Sequence, residues 1–226
     1  MVDVSGKIGG TIFSKNRGGN YAKNRVIPNN PATSRQSLVR GRFGSLSSQW
    51  RLLTQGQRDS FTAASVNFPR TNRIGDTILL AGNALFVSLN TSLLNVGLPI
   101  ITAAPSPQGV TEFVIDDFNA FSDVALELMN VSATAIDPLL QDVMKVEVFA
   151  TAPVSAGISN VTSLFRQIAV FDGNQFIAGE NLSILEDYKD VFGAFTTGSR
   201  IGVKLLPVNS VTGESGVGTT KLTIVG

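Results

Sequence analysis

Two residue types are missing altogether: the 226-residue chain has no cysteine and no histidine. The first absence removes disulfide staples, cysteine nucleophiles and thiolate metal sites. The second removes every histidine-based triad and, with the thiols gone too, the usual zinc and iron ligands. A chain without thiols is indifferent to redox state, so this composition does not fix a compartment. Long apolar runs are lacking as well. Stretches such as ILLAG and LLNVGLPII fall far short of the roughly 20 residues a membrane span needs. The opening MVDVSGKIGG holds no apolar core of a signal peptide, so the expectation is a soluble protein without a secretory signal.

Catalytic motifs are equally scarce. The glycines of Gly6 to Gly10 lack the G-x-x-x-x-G-K-[ST] spacing of a phosphate loop, and no G-x-S-x-G occurs. The densest acids are Asp116-Asp117 and Glu186-Asp187-x-x-Asp190. Neighbours on one strand or loop do not give the two carboxylates converging across a cleft that a hydrolase uses. Neither cluster follows the D-x-[DN]-x-[DN]-G calcium pattern, so both read as solvated loop acids. Arg17-Gly18-Gly19 is better read as turn chemistry than as an RNA-binding repeat. The expectation is a non-enzymatic protein with no catalytic residue, no cofactor and no metal site.

What is present is apolar content and a charge asymmetry. With 43% apolar residues the chain can build real cores. Up to Asp76 there are twelve Lys and Arg against three acids; beyond it there are six against fourteen, leaving a net charge of only +1. Halves of opposite sign admit two partners: nucleic acid for the basic half, or the acidic half of another copy.

Residues 28–58 carry the clearest local signal. Asn30 is placed to cap a helix whose first position is Pro31. Val39, Phe43, Leu46, Trp50 and Leu53 recur at spacings of three and four and form one stripe about 80° wide. Thr54 and Gln57 read as a capping box opening a second helix through Phe61 and Ala64. After a loop, Asn67 to Asp76, a third helix runs from Gly82 or Asn83 to Asn95 with Leu85, Phe86, Leu89, Leu93 and Leu94 on one side. Gly97 and Pro99 end it.

Ahead of the helices, Thr11–Lys15 and Tyr21–Val26 read as a β-hairpin turning through Asn16 to Asn20. A lone hairpin is marginal in water, so this one needs a surface to bind. Lys15, Arg17, Tyr21, Lys23 and Arg25 are its candidate partner-binding residues. Behind the helices, three prolines within Pro99–Pro107 mark a linker. Beyond it the period becomes two. Val124, Leu126 and Leu128 alternate with Ala125, Glu127 and Met129, and Met144, Val146 and Val148 alternate with Lys145, Glu147 and Phe149. Val110–Ile115, Leu164–Val170, a weaker strand near Tyr188–Phe195, Ile201–Leu205 and Leu222–Ile224 bring the total to about seven strands. The fold expected is α+β. An N-terminal β-hairpin arm (1–30) and a three-helix module (31–98) lead through a linker (99–108) to an antiparallel immunoglobulin/fibronectin type III-like β-sandwich (109–226).

Two blocks carry a family resemblance. The leader Gly6 to Arg25 matches GKxGGxxxSxNRGGxYxRxR in outline. The string Asn30-Pro31-x-Thr33-x-x-Gln36, Val39-Arg40, Phe43, Trp50-Arg51, Leu53-Thr54, Gln57-Arg58 follows it, and Gly82-x-x-x-Phe86-x-x-Leu89-Asn90 also fits. Together they resemble phage- and prophage-encoded virion structural proteins of unknown function, over roughly residues 5–98. The layout is also similar to a Bacteroidota domain family of unknown function. The resemblance implies a structural and assembly protein of a bacteriophage particle, made in the host cytoplasm and located in the virion. Its partners would be other copies of itself and other virion proteins, with neither membrane nor small-molecule substrate. The alternative is a nucleic-acid-binding protein using the basic residues 7–73, with Phe13 and Tyr21 interleaved among the cations.

Overall fold

The glycine-rich leader is itself a strand. Gly6–Ile8 (β1) pairs antiparallel with Thr11–Asn16 (β2), which pairs with Gly19–Asn24 (β3), giving a three-stranded meander. Gly9, at φ +56, makes the two-residue turn between β1 and β2 that a side-chain-bearing residue would resist. Asn16 pairs with Gly19, so the arms run further into the expected Asn16–Asn20 turn than their composition indicates. The structure, a computed structural model, describes residues 5–16, 19–27, 30–72, 74–123 and 127–226. Arg17 and Gly18 of the expected turn, and Val124, Ala125 and Leu126 of one expected strand, lie outside the described residues.

The chain divides into two compact units, Met1–Gly41 and Arg42–Gly226, and the division falls within the first helix, Ser34–Leu52 (α1). Thr33, not Asn30, caps α1: its Oγ1 accepts the Gln36 N–H at 3.3 Å. Ala32 sits at φ +46, a left-handed conformation that cannot lie inside the helix, so Pro31 stays outside. Asn30 instead accepts from Arg40, 3.0 Å away. The apolar stripe is covered only in its second part. Leu46 and Leu53 are buried and Trp50 is half-buried, whereas Val39 and Phe43 are 57% and 61% exposed. Periodicity tells which residues share a face, and the length of the covering elements decides how much of that face is used.

In the second unit, Gln55–Ala64 (α2) opens with the full Thr54–Gln57 capping box. The stretch expected as loop folds into a short ribbon, Arg70–Thr71 (β4) against Thr77–Ile78 (β5). Asn72 Oδ1 accepts the N–H groups of Ile74 and Asp76, both at 2.9 Å, which lets so short a ribbon turn. Gly82–Asn95 (α3) ends as the sequence indicates: Gly97 is at φ +78, and the Leu98 N–H returns to the Leu93 carbonyl at 2.9 Å. Gly82 lets α3 start against α2, since a Cβ there would lie 2.4 Å from Thr62 Oγ1. Phe61 and Phe86 meet edge-on with centroids 5.3 Å apart, and Trp50 leans on both at 6.1 and 5.5 Å. Leu46, Leu53, Leu85 and Leu89 complete this core.

The proline-rich segment after α3 belongs to that core. Ile100, Ile101 and Ala104 pack on it. Asn90, fully buried, accepts the Ile101 N–H at 2.7 Å and donates to the Ile101 and Phe86 carbonyls at 3.2 and 3.0 Å.

The remaining strands are Phe113–Ser122 (β6), Glu127–Ala135 (β7), Met144–Ala150 (β8), Arg166–Asp172 (β9), Leu182–Ser183 (β10), Arg200–Asn209 (β11) and Thr219–Ile224 (β12). They form two antiparallel sheets, β10-β7-β6 and β12-β11-β8-β9, whose inner residues share one core. Met144, Val146 and Val148 face that core as their alternation indicates, and so do Ile201, Val203 and Leu205. On β7 the phase is reversed: Met129, Val131, Ala133 and Ala135 point inward, while Leu128 does not. Small inward residues late in the strand hid that register. The weak strand near Tyr188–Phe195 is a helix, Leu185–Phe192 (α4). Leu185, Tyr188 and Phe192 pack inward at helical spacing, and Gly193 at φ +77 stops the turn. Their aromatic character imitates β-propensity. Among the described residues no helix is long and apolar enough to cross a membrane.

Candidate functional site

The register of the N-terminal meander sorts the expected binding residues. Lys7 pairs with Ile12, which pairs with Lys23, and Ser14 pairs with Tyr21. Side chains opposite each other share a face and successive ones alternate. Lys7, Ile12, Ser14, Tyr21 and Lys23 therefore line one face. Lys15, opposite Asn20, lies on the other with Phe13 and Ala22. Arg25 follows β3, its N–H donating to the Gly10 carbonyl at 2.6 Å. Of the five candidates, Tyr21 and Lys23 share a face, Lys15 lies on the opposite one, Arg25 follows the last strand, and Arg17 is outside the described residues. Ile8, Val26 and Ile27 are about three-quarters exposed, so the meander has little core of its own.

A second feature went unread in the sequence. An open groove of about 690 Å³ is lined by Phe43, Trp50, Ile78, Leu80 and Val87, with Arg51 and Arg70 as its cations. The sequence reading of α3 placed Leu85, Phe86, Leu89, Leu93 and Leu94 on one side and made no use of Ala84, Val87 and Ser88, which line the groove. Ribbon β4–β5 rises beside that face and makes the groove. Arg70 Nη2 donates to Ser88 Oγ at 3.0 Å, which fixes the ribbon to α3. The signal that could have exposed it is the pairing of two large aromatics, Phe43 and Trp50, with too few facing apolar residues to cover both.

The acids are used locally. Asp117 accepts from Asn119 and Lys221 side chains and from the Phe118 N–H, which together hold its carboxyl below the usual range, Asn119 contributing most. Lys221 also reaches the Asp116 carbonyl, so the pair clasps β6 to β12. Asp116 itself accepts from Thr134 Oγ1 at 2.6 Å. In α4, burial and then the charge of Asp190 push the Asp187 carboxyl up. Lys189 pairs with Glu127, a hydrogen bond that raises its ammonium. Burial pushes the Tyr188 phenol up, and its hydroxyl donates to the Thr151 carbonyl at 3.0 Å. Among the described residues no three Asp or Glu side chains gather as a metal site would need.

No protein-family model, curated protein or solved structure matches the chain.

Proposed function

We propose that the chain is a non-enzymatic structural and assembly protein of a bacteriophage particle that docks through its N-terminal arm. The observation carrying this reading is the meander β1–β3, a small sheet that leaves Ile8 and Tyr21 exposed, Ile12 and Phe13 only half-buried, and is followed by the exposed Val26 and Ile27. Small sheets without a core are unstable alone and gain order from a surface they join. Lys7, Lys15, Lys23 and Arg25 give that attachment a polar, salt-sensitive rim.

The sheet portion fits an immunoglobulin/fibronectin type III-like sandwich. Taking β6, β7, β8, β9, β10, β11 and β12 as strands A, B, C, C′, E, F and G, the two sheets read E-B-A and G-F-C-C′. Such a body suits a virion protein, because edges and loops can bind without disturbing the core.

The test is incorporation. A chain lacking residues 1–27 is expected to fold and to be left out of particles. Normal incorporation of the truncated chain would refute the reading. Nucleic-acid binding through the same arm is favoured by one observation, the shared face of Lys7, Tyr21 and Lys23.

A further inference from the structure

Elsewhere in the second unit stands a feature complementary to the groove. The 3-10 turn Pro138–Val143 holds Leu139 out at 91% exposure, beside Ile136 at 64%. Asp137 and Asp142, both exposed, flank them. The turn is not loose. Asp137 Oδ1 accepts the Leu139 N–H at 3.0 Å, and the Asp137 N–H donates to Thr111 Oγ1 at 2.8 Å. Gln141 Nε2 donates to the Gly173 and Phe176 carbonyls, both at 2.8 Å, while Leu140 and Val143 pack into the sheet core.

We propose that the Leu139 turn of one copy seats in the Trp50 groove of another, a head-to-tail contact between identical chains. This deepens the assembly reading and rests on it. An apolar knob flanked by two carboxylates meets an apolar groove carrying two guanidiniums, Arg51 and Arg70. The complementarity selects this occupant over the arm, whose Lys7, Lys15, Lys23 and Arg25 would meet like charge. Both partners are held by internal hydrogen bonds, so little ordering is lost on contact. Knob and groove share no residue, so in each contact one copy keeps its groove free and the other keeps its knob. Such heterologous contacts extend into rings or filaments, as a repeated particle component requires.

Two full-length variants test it by sedimentation. Leu139→Glu spoils the knob, and Ala84→Glu places an acid in the groove to face Asp137. Both positions are exposed, so melting curves should match wild type. Wild type is expected to associate beyond a dimer at concentrations up to roughly 1 mM, the weak end of the affinity scale. Each variant alone should lose at least about tenfold in association, as truncation of a central contact does. Mixed together, one supplies a live groove and the other a live knob, and the mixture should stop at a 1:1 complex. A monomeric wild type, variants that associate normally, or a mixture that stays monomeric each overturns the proposal. Association lost only on removing residues 1–27 would do so too, while leaving the arm reading intact. Normal incorporation of the truncated chain into particles, with this contact kept, would separate the two in the other direction.

Discussion

Replacing Asn90 should free the proline-rich segment from the helices. Its carboxamide makes three hydrogen bonds: one from the Ile101 N–H and two to the carbonyls of Ile101 and Phe86. The Phe86 carbonyl also belongs to the helix ladder, so its loss is minor. The two Ile101 groups are different, because nothing else among the described residues satisfies them. An orphaned buried polar group costs about 1 to 3 kcal/mol. Ile101 is half-buried, so water reaches it in part, and the lower half of that range applies to each group. Asn90→Ala is therefore expected to cost about 2 to 4 kcal/mol, measured by urea unfolding. Asn90→Asp should be at least as damaging, because its second oxygen would face two carbonyls instead of donating to them. Hydrogen exchange gives the local readout. The Ile101 and Ala104 amides, the latter bound to Ser60 Oγ at 3.2 Å, should lose protection before β8 and β11 do. An Asn90→Ala variant with unchanged stability and no wild-type protection at Ile101 to lose would show the segment to be an ordinary linker.

Three further outcomes follow from the packing. Phe86→Ala, at a fully buried ring touching Phe61 and Trp50, should cost about 3 to 5 kcal/mol, and Trp50→Ala less because that ring is half open to the groove; equal losses in thermal melts would contradict the burial difference. Gly82→Ala should cost about 1 to 3 kcal/mol, since its methyl would sit 2.4 Å from Thr62 Oγ1 and 2.9 Å from the Thr62 backbone nitrogen, forcing α2 and α3 apart. Asp117→Asn should destabilise at neutral pH, because the folded carboxylate is held below its ordinary value near 3.8; the deficit against wild type should close as pH falls from that value through the depressed one, and a pH-independent difference would mean the charge of Asp117 contributes nothing.

The legible parts of the fold were those set by neighbours in sequence. Thr54 and Gln57 cap a helix by reaching three residues, and Gly97 ends one by its own φ, so both can be read without a tertiary structure. The α1 cap was misplaced because Asn30-Pro31 is a good local start, and only the left-handed Ala32 prevents its use. Strand phase on β7 depended on which of two plausible faces met the opposite sheet, a long-range fact. The α4 segment carried helical spacing in Leu185, Tyr188 and Phe192, but over eight residues aromatic content outweighed the period. The groove was invisible for the same reason as the β7 phase: Arg70 and Ile78 come beside Trp50 and Val87 only when the ribbon folds back on α3.

The charge asymmetry also changes meaning once the cations are placed. If about seven of the twelve basic residues of 7–73 reached phosphate, the log–log salt slope would lie near about −6. Several of those arginines already serve the fold. Arg40 donates to Asn30, Arg42 to Asn95, Arg58 to the Arg51 carbonyl and Arg70 to Ser88. The described cations of the arm are Lys7, Lys15, Lys23 and Arg25, on two faces of a narrow sheet. Four contacts would give a slope near about −4, and a single strand engaged by the Lys7, Tyr21 and Lys23 face alone would give less still. Titration of the full-length chain with DNA across a range of salt therefore separates the readings. A slope near about −6 would require cations beyond the four described on the arm and would favour the nucleic-acid function. A slope of about −4 or shallower would favour the attachment reading of the arm and leave Arg40, Arg42, Arg58 and Arg70 as the internal braces their hydrogen bonds describe.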